Sequence, residues 1–170
     1  YGLGVFNGQT LKELKRLGFR SATLSFELKL AQIRDLSKGL DTELVVYGRL
    51  PLMITENCLV QNETGCRLDR QGPCVPEDGP CRCGQPNVLV DRTGAAFPLL
   101  PAYGHRTEIQ NSKPLYLADR PEHRRLGLAY ARLRFTTETA EECVSVVQNY
   151  LDAAPAAGDF TRGLYERGVE

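Results

Sequence analysis

The first fifty residues alternate two hydrophobic periods, and this constrains the fold more than any other feature of the chain. Short runs of apolar character, Val5-Phe6-Asn7, Ala22-Thr23-Leu24-Ser25-Phe26 and Leu44-Val45-Val46-Tyr47-Gly48, are separated by stretches with apolar residues at helical spacing. The first such stretch, Leu11 to Leu17, has Thr10 as its candidate N-cap and Gly18 as its stop; the second runs from Leu28 to Leu36 and ends at Gly39. A strand buried on both faces has no polar alternation, and helices of about ten residues between such strands cover both faces of a parallel sheet. The expectation is therefore an α/β fold.

The alternation breaks after Pro51. A segment rich in Cys, Gly and Pro, residues 56–85, is too long for a plain connection in a compact domain, and loops of that length carry function or stay disordered. Beyond it, Asn87 to Val90 and Ala95 to Leu100 flank Asp91-Arg92-Thr93-Gly94, the pattern of a β-hairpin. Leu115-Tyr116-Leu117 and Ala129 to Phe135 are further strand candidates. Thr136 or Thr137 is placed to cap a final helix reaching Leu151, with Ala140, Cys143, Val144 and Val147 on one apolar stripe. This gives about four βα units over residues 1–151, a linker over 152–159 and a terminal segment over 160–170 without usable periodicity. A (β/α)8 barrel needs eight units and about 250 residues, so a barrel containing these strands has only its second half here, with two exposed sheet edges.

Five of the six cysteines lie between Cys58 and Cys83, at Cys58, Cys66, Cys74, Cys81 and Cys83, with His105 following. Thiolates gathered on one loop suit a metal or an iron–sulfur cluster; disulfides and free thiols are the other readings of the same spacing. Cys143 reads as a core residue of the final helix. Lys and Arg number 21 and so do Asp and Glu, which excludes nucleic-acid binding by bulk positive charge but leaves room for a local patch at Arg120, Arg124, Arg125, Arg132 and Arg134. That patch suits RNA, or is a solvated face. No apolar run approaches the roughly 20 residues that span a bilayer. The chain opens at Tyr1 directly on strand-like sequence, with no n-region or h-region of a signal peptide among these residues, and reads as a piece of a longer chain.

Leu3-Gly-Val-Phe-Asn7, Leu24-Ser-Phe-Glu-Leu28, Gly48-Arg-Leu-Pro-Leu-Met53 with Glu56-Asn-Cys58, Leu89-Val-Asp-Arg-Thr-Gly-Ala-Ala-Phe-Pro98, Glu108-Ile-Gln-Asn-Ser112, Pro114-Leu-Tyr-Leu-Ala-Asp119 and Thr161-Arg-Gly-Leu-Tyr-Glu-Arg-Gly168 resemble, in order, the back half of peptidase family U32 proteins. The likeness implies a partial, distorted TIM-type barrel with the Cys-rich loop and the hairpin as insertions, completed by the N-terminal half of the same parent chain, and a cytoplasmic bacterial or archaeal setting. It also implies one of two activities. Some members resemble collagenase-like peptidases of undefined mechanism; others carry a [4Fe-4S] cluster on four cysteines and assist hydroxylation of tRNA, ribosomal RNA or a small aromatic. On that pattern Cys58 and Cys66 are the early pair and Cys81 or Cys83 the third ligand. His105 stands where the fourth falls, with zinc as the alternative occupant. A non-catalytic half-domain that binds a partner is the third reading.

Only two histidines, His105 and His123, are present, and no Gly-x-Ser-x-Gly or His-Glu-x-x-His signature appears. His123 reads as a solvated loop residue. In a barrel the chemistry sits where strands end, and the polar residues there are Asn7, Ser25, Glu27, Tyr47, Arg49 and Arg134. Glu27 and Arg49 are the catalytic candidates, a carboxylate for acid–base work and a guanidinium that clamps a carboxylate or phosphate; Asn7, Ser25, Tyr47 and Arg134 are candidates for holding substrate. The structural alternatives are a helix cap for Glu27 and an ion pair for Arg49.

Overall fold

A computed structural model describes residues 2–64 and 85–167; Cys66, Cys74, Cys81 and Cys83 lie outside the described residues. In chain order the elements are α1 (Gly8–Arg16), β1 (Ser21–Thr23), α2 (Leu30–Asp35), β2 (Asp41–Gly48), β3 (Pro51–Thr55), α3 (Leu59–Thr64), β4 (Asn87–Val90) and β5 (Ala96–Ala102), followed by β6 (Arg106–Gln110), β7 (Leu115–Tyr116), a 3-10 turn (Pro121–Arg125), β8 (Tyr130–Leu133) and α4 (Ala140–Asp152). They form two compact units. Unit 1 holds residues 1–48 and 113–170, and unit 2 holds residues 49–112.

Unit 1 is the βα unit predicted from the alternation. Val5 bridges Leu24 in parallel, β1 pairs β2 in parallel from Ser21↔Asp41 to Thr23↔Glu43, and β2 pairs β8 in parallel from Glu43↔Tyr130 to Tyr47↔Leu133. Four successive parallel segments therefore lie side by side, each leading into a helix or, after β2, into unit 2. The short β7 runs antiparallel to the end of β2. Among the described residues the fold is a mixed α/β arrangement that does not close into a barrel.

Helix boundaries differ from the sequence reading for identifiable reasons. Asn7, not Thr10, caps α1: its backbone is extended and its Oδ1 accepts from the Thr10 amide at 2.9 Å. Asn7 is thus the end of the first strand segment and the start of its helix, which shortens the predicted strand to Val5. Thr139 caps α4 in a capping box with Glu142, and the Thr136 and Thr137 amides donate instead to the Glu138 carboxylate. The inward face of α4 carries Val146 and Tyr150, an i,i+4 pair, while Val144 is 71% exposed. Cys143 is half-buried.

The reason for that rotation lies on β2. Its register with β8 shifts between Val45 and Tyr47, and the carbonyls of Val45 and Val46 accept hydrogen bonds from two buried tyrosines. The Tyr165 hydroxyl donates to Val45 at 2.7 Å, and the Tyr150 hydroxyl donates to Val46 at 2.5 Å while accepting from the Leu117 amide at 2.8 Å. Burial pushes both phenols far above their ordinary range, so both remain neutral donors. Tyr165 belongs to the terminal segment, which has no periodicity. That segment is held by the parallel bridge Leu115↔Thr161 and by Arg162, which pairs both guanidinium nitrogens with Asp119 at 2.6 and 2.8 Å and stacks over Phe160.

Unit 2 is a four-stranded antiparallel sheet in the order β3-β6-β5-β4, with α3 following β3. The predicted hairpin is β4–β5, with Asp91 Oδ1 accepting from the amides of Thr93 and Ala95 and Gly94 at φ +85°.

Gly48 ends β2 at φ +118°, where a Cβ would lie 2.0 Å from the Arg134 carbonyl oxygen. The backbones of β2 and the β8 exit meet there, and the Arg134 amide donates to Tyr47 at 2.9 Å. Replacing Gly48 by Ala is expected to lower stability by roughly 3 kcal/mol, from backbone strain plus forced separation of the strands. The urea midpoint of the single variant measures it.

Candidate functional site

In unit 1 the parallel segments end on Asn7, Ser25-Phe26-Glu27, Tyr47-Gly48 and Arg134, so the sequence-predicted residues of this unit do fall at the carboxyl ends of adjacent segments. Their engagements differ. Asn7 is committed to its cap, accepting from the amide and hydroxyl of Thr10. Ser25 is buried, its amide donates to the Val5 carbonyl at 3.0 Å and its Oγ accepts from the Glu27 amide at 3.3 Å, which fixes the turn that presents Glu27. Glu27 is exposed. It does not cap α2; Lys29 occupies that position, with its amide donating to Gln32 Oε1 at 2.8 Å.

Tyr47 donates from its hydroxyl to Glu138 Oε1 at 3.2 Å and packs against Phe135 and Tyr150 with ring centroids 5.5 and 6.2 Å apart. The remaining oxygen of Glu138 accepts from the Thr136 and Thr137 amides, so one carboxylate ties the β8 exit to the β2 terminus. Sequence reasoning missed Glu138, and the visible signal was its place directly after the Thr136-Thr137 pair that was read as a cap. The Arg cluster is largely occupied within the fold. Arg132 pairs with Glu43 at 2.6 Å, Arg120 with Glu166 at 3.5 Å, and Arg124 donates to the Tyr150 carbonyl at 2.5 Å. Glu43 also accepts from the Thr23 hydroxyl at 2.6 Å, making a polar ladder across β1, β2 and β8.

His123 is buried at 4% exposure, contrary to the solvated loop residue expected. It lies on the 3-10 turn behind Pro121, and its Nδ1 is 2.5 Å from the Arg120 carbonyl, which can only accept, so Nδ1 carries the proton. With Arg124, Ala131, Val147 and Tyr150 it lines a cavity of about 360 Å³. Burial, more than the neighbouring Arg124, holds its pKa below the ordinary 6.5, against the opposing pull of the Arg120 carbonyl and Glu122. A lowered histidine pKa means that the unfolded chain binds the proton first. Stability is then full above pH 6.5 and falls as the pH drops below it through the folded pKa. Chemical denaturation between pH 7.5 and 5.5 is expected to show that loss, and His123→Gln to flatten it.

In unit 2, Arg49 directs Nη1 at the carbonyls of Asn111 and Ser112, the first at 3.0 Å. Cys58 and His105 line one cavity of about 250 Å³, together with Leu99, Pro101 and Arg106. The corner that presents Cys58 is fixed by threonines. The Thr55 hydroxyl donates to the Asn57 carbonyl at 2.6 Å, and Thr107 Oγ1, buried, accepts from the Leu59 amide at 3.1 Å. His105 ends the β5–β6 turn at φ +60°, a left-handed conformation rare for a residue with a Cβ, after Gly104 at +72°. Arg106 reaches back to Glu56 Oε2 with Nη2 at 2.9 Å, bracing the same corner. Cys58 is a half-buried free thiol. A cysteine and a histidine facing one cavity are the right chemistry for two positions of a zinc or iron–sulfur site. Among the described residues no three His, Cys, Asp or Glu side chains gather around one metal position.

The family model of peptidase family U32 matches residues 3–92, which is 90 of the 170 residues, and the chain belongs to that family. The matched span runs from the first parallel segment of unit 1 through β4 of unit 2 and includes Asn7, Glu27, Tyr47, Arg49 and Cys58. No curated protein and no solved structure matches the chain. Among the described residues, no helix is long and apolar enough to cross a membrane.

Proposed function

We propose that this chain is half of the α/β barrel domain of a U32 peptidase and hydrolyses peptide bonds at the carboxyl-terminal rim of its parallel segments, with Glu27 as the acid–base residue. The observation that carries this reading is the rim itself. Successive parallel segments end on polar residues, and Glu27 is the exposed carboxylate among them, held out by a buried Ser25 turn. Membership of a family described as peptidases supports this reaction class. A water molecule would add through oxygen to the scissile carbonyl carbon and pass its proton to the Glu27 carboxylate, with Arg134 stabilising the developing oxyanion. Glu27 would then return that proton to the departing amine as the C–N bond breaks. Asn7 and Ser25 act in this scheme by fixing the backbone of the rim. Glu27→Gln is expected to lower kcat on gelatin by about 100-fold or more while leaving the unfolding midpoint unchanged. Unchanged turnover in that variant would remove Glu27 from the chemistry.

The shared cavity of Cys58 and His105 favours a second reading for unit 2. We propose that these two residues hold part of a metal or [4Fe-4S] site, with Cys66, Cys81 and Cys83 as sequence-level candidates for the rest. A bound cluster supplies one-electron transfer, the chemistry of an accessory to hydroxylation, whereas zinc supplies a Lewis acid. The internal engagement of Arg120, Arg124 and Arg132 weighs against the arginine cluster as an RNA surface. Protein prepared without air is expected to contain iron and sulfide, or zinc, and Cys58→Ala and His105→Ala each to reduce the bound metal at least about tenfold. Colourless, metal-free protein would discard this reading and leave the first untouched.

A further inference from the structure

Two opposite charges of unit 1 face one cavity without meeting. Lys38, in the connection from α2 to β2, and Asp41, the first residue of β2, both line a cavity of about 500 Å³. They stand three positions apart, yet among the described residues neither has an ion-pair partner. Asp35, the other acid close to Lys38 in sequence, is taken by Arg34 at 2.7 Å. The half-buried Lys38 ammonium donates to the carbonyls of Ile33 at 2.6 Å and Leu36 at 3.4 Å, which leaves one of its three protons unused. Burial pushes its pKa below the ordinary 10.5, against a weaker pull from Asp35. A cation drawn out of water without a counter-ion calls for an anion from elsewhere.

Thr42 is an independent sign at the same place. It lines the same cavity, is 1% exposed, and among the described residues its Oγ1 has no hydrogen-bond partner. An unsatisfied buried hydroxyl lowers stability, and Val, of the same shape and a strong strand former, would fill the position without that loss. A hydroxyl kept against the interest of the fold points to a ligand. The cavity is also no sheet edge. It lies where β2 and β8 are already joined, the Ala129 amide donating to the Thr42 carbonyl at 2.9 Å, and β1 pairs the other side of β2 at Ala22↔Thr42. A segment that extends the sheet adds beyond Val5 or beyond β8, not between β2 and β8.

We propose that this cavity binds a small zwitterion, a free amino acid or a dipeptide with an apolar side chain. Its carboxylate meets Lys38 and the Thr42 hydroxyl, its ammonium meets Asp41, and its side chain lies against Leu40 and Leu128, which complete the wall. Small-molecule sites run from roughly 300 to 1,000 Å³, so the volume is right for such a ligand. The site stands at the amino-terminal ends of β2 and β8, whereas the Glu27 rim stands at the carboxyl-terminal ends of the parallel segments. Amino acids and short peptides are what hydrolysis at that rim would release. Binding here is read without turnover, so it succeeds or fails apart from the peptidase reading.

Titration of the 170-residue chain, followed by amide proton–nitrogen NMR, tests this with L-leucine and glycyl-L-leucine as probes that separate amino acid from dipeptide. The expected result is a saturable shift of the Gly39, Thr42 and Gly127 amides by at least one probe, with a dissociation constant of about 1 mM or below. N-acetyl-L-leucine, which lacks the ammonium, and L-leucinamide, which lacks the carboxylate, are each expected to bind about tenfold more weakly or worse. Lys38→Gln and Asp41→Asn are expected to weaken the unblocked probe by about the same factor. Thr42→Val separates binding from folding: affinity should fall roughly tenfold while the thermal midpoint stays level or rises. No saturable shift from either probe at about 10 mM overturns the proposal. Equal binding of the blocked analogues does so too, since an apolar contact alone would then explain it. A Thr42→Val chain with a lower midpoint and full affinity assigns the hydroxyl to the fold and overturns the site as drawn.

Discussion

Unit 1 depends on how the carbonyls of a single strand are satisfied. Among the described residues β2 is the only strand that pairs with three others, parallel to β1 and β8 and antiparallel to β7. Where its register with β8 slips, two successive carbonyls are taken by phenols, one from α4 and one from the terminal segment. A buried carbonyl without a donor costs about 1–3 kcal/mol, so each tyrosine is constrained in position as well as in type. That requirement sets the rotation of α4 and explains why a stretch without periodicity returns to the middle of the sheet. It also orders the rim, because Tyr47, Gly48 and Arg134 follow directly from the same register shift.

The α/β character of unit 1 was legible because strands buried on both faces and helices with one apolar stripe have different periods, and the residues between Val5 and Gly48 keep those periods cleanly. The errors came where a side chain had two uses. Asn7 looked like the end of a strand and is also a cap; Glu138, which the sequence reading passed over, links two strand ends. Val144 and Val147 looked like core, and they are apolar, but the face that reaches β2 is the one carrying Tyr150. His123 was read from polar neighbours, yet Pro121 starts a 3-10 turn that folds the ring inward onto the Arg120 carbonyl. No local pattern encodes the return of Tyr165, since its partner lies 120 positions away.

Of the candidate site, the sequence revealed which residue types stand at strand ends but not how they are employed. Ser25 and Asn7 are consumed by backbone geometry, while Glu27 is presented to solvent by them. The link between Cys58 and His105 was readable only as order along the chain. Their meeting on one cavity wall needs the β3–α3 corner and the left-handed β5–β6 turn, features fixed by Thr55, Thr107 and Gly104 and not by the ligands themselves.

The pairing of Gly48 with Leu115 has a further meaning for how such a protein can change. The chain leaves unit 1 after Gly48 and re-enters at Lys113, so 64 residues (49–112) are inserted between two points of unit 1 that are already held together by strand pairing. The entropy of closing a loop grows only with the logarithm of its length, and a folded insert does not add even that. Unit 1 is therefore indifferent to what is carried between those two points. The region that holds Cys58 and His105 behaves as a cassette, free to gain, lose or exchange its chemistry while the sheet beneath the rim stays the same.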